Sequence, residues 1–364
     1  MNTPKARELR AQCTRYLTGH KPLNQREWLL RLAESPYATL RPDMYNDGPA
    51  MEILEKEVAE LLGKPAAIFL PKGVTAQLAA LKVWTQRSRI NTVAVHPKSH
   101  IDSNELNAIE RYMGISLLRV GTDYQPYTLP DLEKLNEPIG AIVVELPLRN
   151  AGYKLPTWDE LTAISGWAHE RQIPLHFDGA RLWESAYYYG RTCAEISALA
   201  DSVYVSFYKG LGGMAGCVLA GAPDFIAEAK VWRTRLGGNI WTVFPFVLSA
   251  LEGLHHHLPR MAEYCGRARE IAALLSQIAG LRIAPEPPHT NAFQLFLPAP
   301  LSALETAVLQ LAETERTWLF GFFLESAIPG YTVTEFTVGE ATLEWSDAEI
   351  VASVTRLLEL AKMR

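Results

Sequence analysis

Lys209 is the residue from which a chemistry can be built. It follows Ser202-Val-Tyr-Val-Ser-Phe207, where Val203, Val205 and Phe207 alternate with Tyr204 and Ser206 as on a pleated, mostly buried strand. Gly210, Gly212, Gly213 and Gly216 come soon after it. Burying a charged ammonium is expensive. A desolvated lysine instead has a lowered pKa, and its neutral amine can attack a carbonyl to form a Schiff base. Asp178 ends a second apolar run, Ile173-Pro-Leu-His-Phe-Asp178, and precedes Gly179-Ala-Arg181. A carboxylate there can cap the next helix or pair with a cationic ring nitrogen. Together the two residues answer one cofactor. Pyridoxal phosphate (PLP) needs a lysine anchor and a partner that keeps its ring nitrogen protonated.

Other residues extend this reading. Gly73-Val74-Thr75 stands between an apolar run and a helix, where backbone N–H groups favour an anion such as a phosphate. His100 can stack on a flat cofactor or support removal of a substrate proton. Arg181 suits a cofactor oxygen or a substrate carboxylate. The run His255-His-His257 lacks the spacing of a metal site, because adjacent helical residues do not share a face; no metal is expected. Tyr187-Tyr-Tyr189 reads as packing.

These residues need elements to position them. Met51, Leu54, Val58, Leu61 and Leu62 share a helical face that Gly63 ends. Apolar runs at 66–70, 92–95, 115–120, 139–146, 173–178 and 203–207 read as strands, with a further one at 215–220. Helices are expected between them, from the 71–77 turn through Trp84, over 104–112, over 158–171 and after Gly179. The alternation predicts an α/β fold with a mostly parallel central sheet, its helices on both faces. Ligands in such sheets sit beyond the carboxyl ends of the strands, where Lys209, Asp178 and the Lys72-Gly73 turn fall. Beyond residue 224 the texture changes. Helices over 224–235, from 244 past Pro259 to 278, and over 302–313 join strands near 281–283, 292–296, 331–337 and 341–345. Ser346-Asp-Ala-Glu opens a last helix with capping-box spacing. Three parts are expected: an N-terminal arm or small-domain segment (1–42), a large α/β PLP-binding domain (43–245) and a smaller α+β C-terminal domain (246–364).

The composition sets bounds. At 364 residues, 48% hydrophobic and 21% charged, the chain is ordinary for a globular protein. A net charge of −5 without a long basic run argues against nucleic acid. Cys13, Cys193, Cys217 and Cys265 are far apart and read as reduced thiols. The stretch from Met1 to Arg10 lacks the apolar core of a signal peptide, and no run has the length of a membrane span. A cytoplasmic protein is expected.

The residues also resemble a family. Tyr45-Asn-Asp-Gly-Pro49 with Leu54-Glu55 and the run 57–63 resembles the N-terminal signature of the threonine aldolase and β-eliminating lyase group. His100-Ile-Asp-Ser-Asn-Glu105 is similar to its His-Ile-x-x-x-Glu element. Leu175-His-Phe-Asp-Gly-Ala-Arg181 is similar to its Asp-Gly-Ala-Arg motif, and Lys209-Gly-Leu-Gly to its Lys-Gly-Leu segment. Leu236-Gly-Gly and Thr290-Asn-Ala-Phe293 resemble later elements. The resemblance implies a fold type I PLP enzyme, aspartate aminotransferase-like. It implies Lys209 bonded to PLP, Asp178 on the pyridine nitrogen and His100 stacked on the ring. Gly73, Val74 and Ser206 are implied near the cofactor, and Arg181 near cofactor or substrate. Tyr45 and Arg235 are implied toward the substrate. The implied reaction cleaves a β-hydroxy-α-amino acid to glycine and an aldehyde, in a homodimer or homotetramer with shared sites and a small amino acid as substrate. Alternatives are β-elimination, racemisation, or a PLP-fold protein that binds without catalysis. A nicotinamide enzyme is disfavoured, because no G-x-G-x-x-G follows a first strand.

The chain departs from the family at several points. Lys72-Gly73-Val74 stands where the family has Ser-Gly-Thr, Tyr208 where it has Ser, and Trp241-Thr242 where it has Arg-Gln. The stretch 337–344 lacks the family's arginine for a substrate carboxylate, so either Arg181, Arg233 or Arg235 substitutes or the substrate differs from threonine.

Overall fold

The computed structural model describes residue 1 and residues 3–362; Asn2, in the expected arm, and Met363 and Arg364, in the expected C-terminal domain, lie outside the described residues. The chain folds into two compact units, residues 28–259 and residues 1–27 with 260–364.

The larger unit is built on a seven-stranded sheet. In chain order its strands are β1 (Ala66–Leu70), β2 (Thr92–Val95), β3 (Ser116–Arg119), β4 (Ala141–Glu145), β5 (Leu175–Gly179), β6 (Ser202–Ser206) and β7 (Cys217–Gly221). Their order across the sheet is β1-β7-β6-β5-β4-β2-β3. Strands β6, β5, β4, β2 and β3 run parallel, and β7 runs antiparallel between β1 and β6. The carboxyl ends of β1, β2, β4, β5 and β6 therefore share one edge. Every residue of β4, β5, β6 and β7 is buried, as their near-continuous apolar runs require.

Four helices matter for the site: α1 (Pro49–Leu61), α2 (Gly73–Ser88), α3 (Leu182–Tyr189) and α4 (Pro223–Arg235). Helix α1 starts with Pro49 at its first position and buries Met51, Leu54 and Val58. Helix α2 lies against β6 and β7, with Ala76, Ala80, Leu81 and Trp84 in one core with Tyr204, Leu219 and Phe225. Beneath it runs a buried polar chain. Trp84 Nε1 donates to Ser202 Oγ (2.8 Å), which meets His176 Nδ1 (2.8 Å), and His176 Nε2 meets Gln77 Oε1 (2.8 Å). Burial pushes the pKa of His176 down to about 3, so the ring is neutral.

At the sheet margin, Phe69 of β1 is gripped from outside by two ionic side chains. Its N–H donates to Glu55 Oε1 (2.7 Å), and its carbonyl accepts from Arg233 Nη1 (2.9 Å).

The smaller unit holds a four-stranded antiparallel sheet formed by Arg282–Ala284, Ala292–Leu297, Leu324–Glu325 and Thr332–Thr337. Its last helix, Asp347–Lys362, opens as the capping-box spacing predicts: Ser346 N–H donates to Glu349 Oε2 (2.9 Å).

Two expected elements differ. The single helix over 104–112 is instead a turn, His100–Ser103, and a separate helix, Ala108–Met113. Leu106 and Asn107 adopt φ of 53° and 57°, which no right-handed helix accommodates. The strand near 341–345 is a 3-10 turn, Glu340–Glu344, closed by Gly339 N–H donating to Thr342 Oγ1 (3.2 Å).

Candidate active site

Strand register gathers the reactive groups. Asp178 lies opposite Glu145 on β4 and Tyr204 on β6. Both carboxyls are buried. Glu145 accepts from the backbone N–H of His100 (2.6 Å) and of Arg149 (3.1 Å). Burial first, and then the charge of Asp178, raise its pKa to about 7. Burial raises Asp178 too, against the pull of Lys209 and His100, although it accepts from Ala180 N–H (3.2 Å). Two neighbouring buried carboxyls resist ionising together, so they titrate as a pair.

Lys209 follows the end of β6. Burial first, and then the Arg181 guanidinium, lower its pKa to about 8 against the upward pull of Asp178, Glu145 and Glu184. A substantial fraction of the amine is therefore neutral near neutral pH, the form that attacks carbonyls. The next residue, Gly210, donates its N–H to Glu184 Oε1 (3.1 Å), and a Cβ there would overlap that carboxylate. Glu184 on α3 thus pins the backbone beside the amine.

His100 Nδ1 meets Glu105 Oε1 at 2.9 Å. That bond orients the imidazole and leaves Nε2 as its second nitrogen. Arg181, the N-cap of α3, sits over the Tyr153 ring at 5.2 Å. Ser206 donates its Oγ–H to the Ala180 carbonyl (2.7 Å), tying the ends of β5 and β6. Gly73 opens α2 and Val74 packs on the core behind it. A Cβ on Gly73 would overlap Tyr204 Oη and lie 3.1 Å from Tyr208 Oη. We expect Gly73→Ala to destabilise the protein by about 1–3 kcal/mol through overpacking. Adding Tyr204→Phe is expected to restore part of that loss. Urea denaturation of the single and double variants checks both.

Lys209, Asp178, His100 and Arg181 are thus within electrostatic reach of one another. Tyr45 and Arg235 make their contacts elsewhere. Tyr45 is exposed, edge-on to Trp241 at 4.9 Å, with its N–H donating to the Trp241 carbonyl (2.9 Å). Arg235 is exposed and stacks on Trp232 at 4.7 Å. Arg233 is buried against Phe69. Of the three candidate arginines, only Arg181 influences Lys209. The sequence pattern assigns no site role to Glu145, Glu184, Tyr204 or Tyr208. Glu145 was findable by the rule that found Asp178: a carboxylate closing an apolar strand.

A profile of beta-eliminating lyases matches residues 36–298, which hold every residue of this cluster. The chain belongs to the beta-eliminating lyase family. One solved structure, from Exiguobacterium sp. 255-15 and provisionally named an aromatic amino acid beta-eliminating lyase/threonine aldolase, is 33% identical. It superposes with a TM-score of 0.91 over 98% of this chain and 99% of its own. Another, from Listeria monocytogenes and provisionally named an L-allo-threonine aldolase, is 34% identical with a TM-score of 0.88 over 99% of both chains. The low-specificity L-threonine aldolase 1 of Arabidopsis thaliana is 29% identical over 70% of this chain and 74% of its own. The fold is fold type I, as the family resemblance implies; the strand and helix alternation anticipated its α/β class. Among the described residues, no helix is long and apolar enough to cross a membrane.

The family implies pyridoxal phosphate, and the residues present fit it. Asp178 is a buried carboxylate that its surroundings only partly compensate, so a cationic ring would stabilise its charge. Gly73 keeps clear a cradle at a helix N-terminus. Lys209 supplies the amine.

Proposed function

We propose that this protein is a PLP-dependent lyase that cleaves a β-hydroxy-α-amino acid into glycine and an aldehyde. The observation that carries it is the convergence of Lys209, Asp178 and His100 on one sheet edge, within the span shared with the family. The names of the Listeria and Arabidopsis relatives support the same substrate class.

When bound, PLP supplies a ring system that takes up the electron pair of the breaking Cα–Cβ bond. Lys209 Nζ would hold the cofactor, and its amine, lowered in pKa by burial, would also serve as a base. Asp178 would pair with the ring nitrogen and favour its protonated form. Glu145, whose pKa is raised by burial and by the charge of Asp178, fixes the backbone of His100. His100, turned by Glu105, would lie against the cofactor and would take the proton of the substrate β-hydroxyl on Nε2. Arg181 is the cation available to a substrate carboxylate. Exposed Met44, Tyr45, Ile240, Trp241 and Phe244 support pairing of copies in a homodimer or homotetramer.

Aldehyde release from a panel of β-hydroxy amino acids tests the reaction, and the same preparation is expected to sediment as a multimer. Keto acid and ammonia from β-substituted amino acids, without aldehyde, would replace the aldol reading with β-elimination. No product from either set would leave a binding protein.

A further inference from the structure

The turn Lys72-Gly73-Val74 carries a feature that a plain phosphate turn does not need. Helix α2 is 16 residues long, and no side chain caps its first N–H groups; its first turn holds no acidic residue. The first of its N–H groups with an intrahelical acceptor is that of Ala76, which donates to the Lys72 carbonyl (3.2 Å). The N–H groups of Gly73, Val74 and Thr75 therefore face outward with the positive end of the helix dipole. Two phenols stand over them. Tyr204 Oη and Tyr208 Oη are 3.4 Å apart, and both border the space a Cβ on Gly73 would take.

Lys72 then adds a full charge. Its ammonium lies over the Tyr208 ring, 5.7 Å from the centroid, and Lys209 lies 5.9 Å from the same centroid. Both lysines also act on the buried Cys217 thiol, lowering its pKa against burial. Among the described residues no carboxylate forms an ion pair with Lys72. Lys72 is exposed beside this turn, so an incoming anion can meet its ammonium. A phosphate at the α2 N-terminus is such an anion, and would meet backbone donors, phenol donors and an ammonium together.

We propose that Lys72 binds the cofactor's phosphate group, supplying by charge what the family's serine supplies by a hydroxyl. This rests on the reading that the site takes pyridoxal phosphate. The test compares pyridoxal phosphate with pyridoxal, which has the same aldehyde and ring and no phosphate. Cofactor-free protein is titrated with each, following the visible band of the lysine adduct. Lys72→Ala is expected to weaken pyridoxal phosphate about 10–100-fold and to leave pyridoxal within about threefold. Lys72→Ser is expected to recover part of the loss. Inorganic phosphate is expected to slow attachment of pyridoxal phosphate to the wild type more than to Lys72→Ala. Equal weakening of both aldehydes, or unchanged affinity for pyridoxal phosphate, would overturn the proposal. A wild type that forms no band with either aldehyde would instead remove the cofactor reading beneath it.

Discussion

Lys209→Ala is expected to abolish the borohydride-sensitive visible band and to lower aldehyde release about 10³-fold or more, as loss of a covalent nucleophile does. Folding is expected to survive. The wild-type lysine is buried with its pKa held near 8, so its protonated form costs stability at neutral pH. The sign follows from linkage. The unfolded chain binds this proton up to about pH 10.4, the native chain only up to about 8, so wild-type stability rises with pH between those values. Lys209→Ala is expected to lack that rise and to match or exceed the wild-type melting temperature at pH 7. The same pKa sets the attachment rate: addition of pyridoxal phosphate to cofactor-free wild type is expected to speed up to about pH 8 and then level off. A band that persists in Lys209→Ala would move the anchor to another amine, and Lys72, on the same tyrosine ring, is the first to check.

Asp178→Asn is expected to separate binding from folding. The substitution keeps the shape and removes the charge. Because burial raises this carboxyl, its contribution to stability is full at low pH and is lost as pH rises through its folded pKa. At neutral pH the cofactor-free variant is therefore expected to be as stable as the wild type, or more so. With the partner of the ring nitrogen gone, activity is expected to fall about 10²–10⁴-fold. The rise in melting temperature on adding pyridoxal phosphate is expected to shrink. Glu145, relieved of a charged neighbour, is expected to titrate below its present value of about 7. A variant that keeps full activity would show that Asp178 is only the acceptor for Ala180 N–H.

Much of the sheet was legible because its strands carry apolar runs punctuated by glycine and polar residues at their carboxyl ends. Lys209, Asp178 and Gly73 could be placed on one edge by that rule alone. What escaped reading depends on register between distant segments. Tyr204 looked like a pleat residue, yet its hydroxyl fills the space beside Gly73. His176 lay inside an apolar run, and only the approach of Gln77 and Ser202 makes it part of a buried polar chain. The break at Leu106 and Asn107 needed backbone conformations that helix periodicity does not report. At 340–344 the apolar spacing suited a strand, but Thr342 turns back on Gly339.

The grip on Phe69 bears on how copies of this protein can meet. β1 is the outermost strand on its side of the sheet, and an uncovered outermost strand is a template for pairing with another chain. Glu55 and Arg233 occupy the N–H and C=O of Phe69 that such a pairing would use. Adding a foreign strand there would require breaking both bonds and leaving two ionic groups without partners. The fold thereby blocks strand addition at this margin.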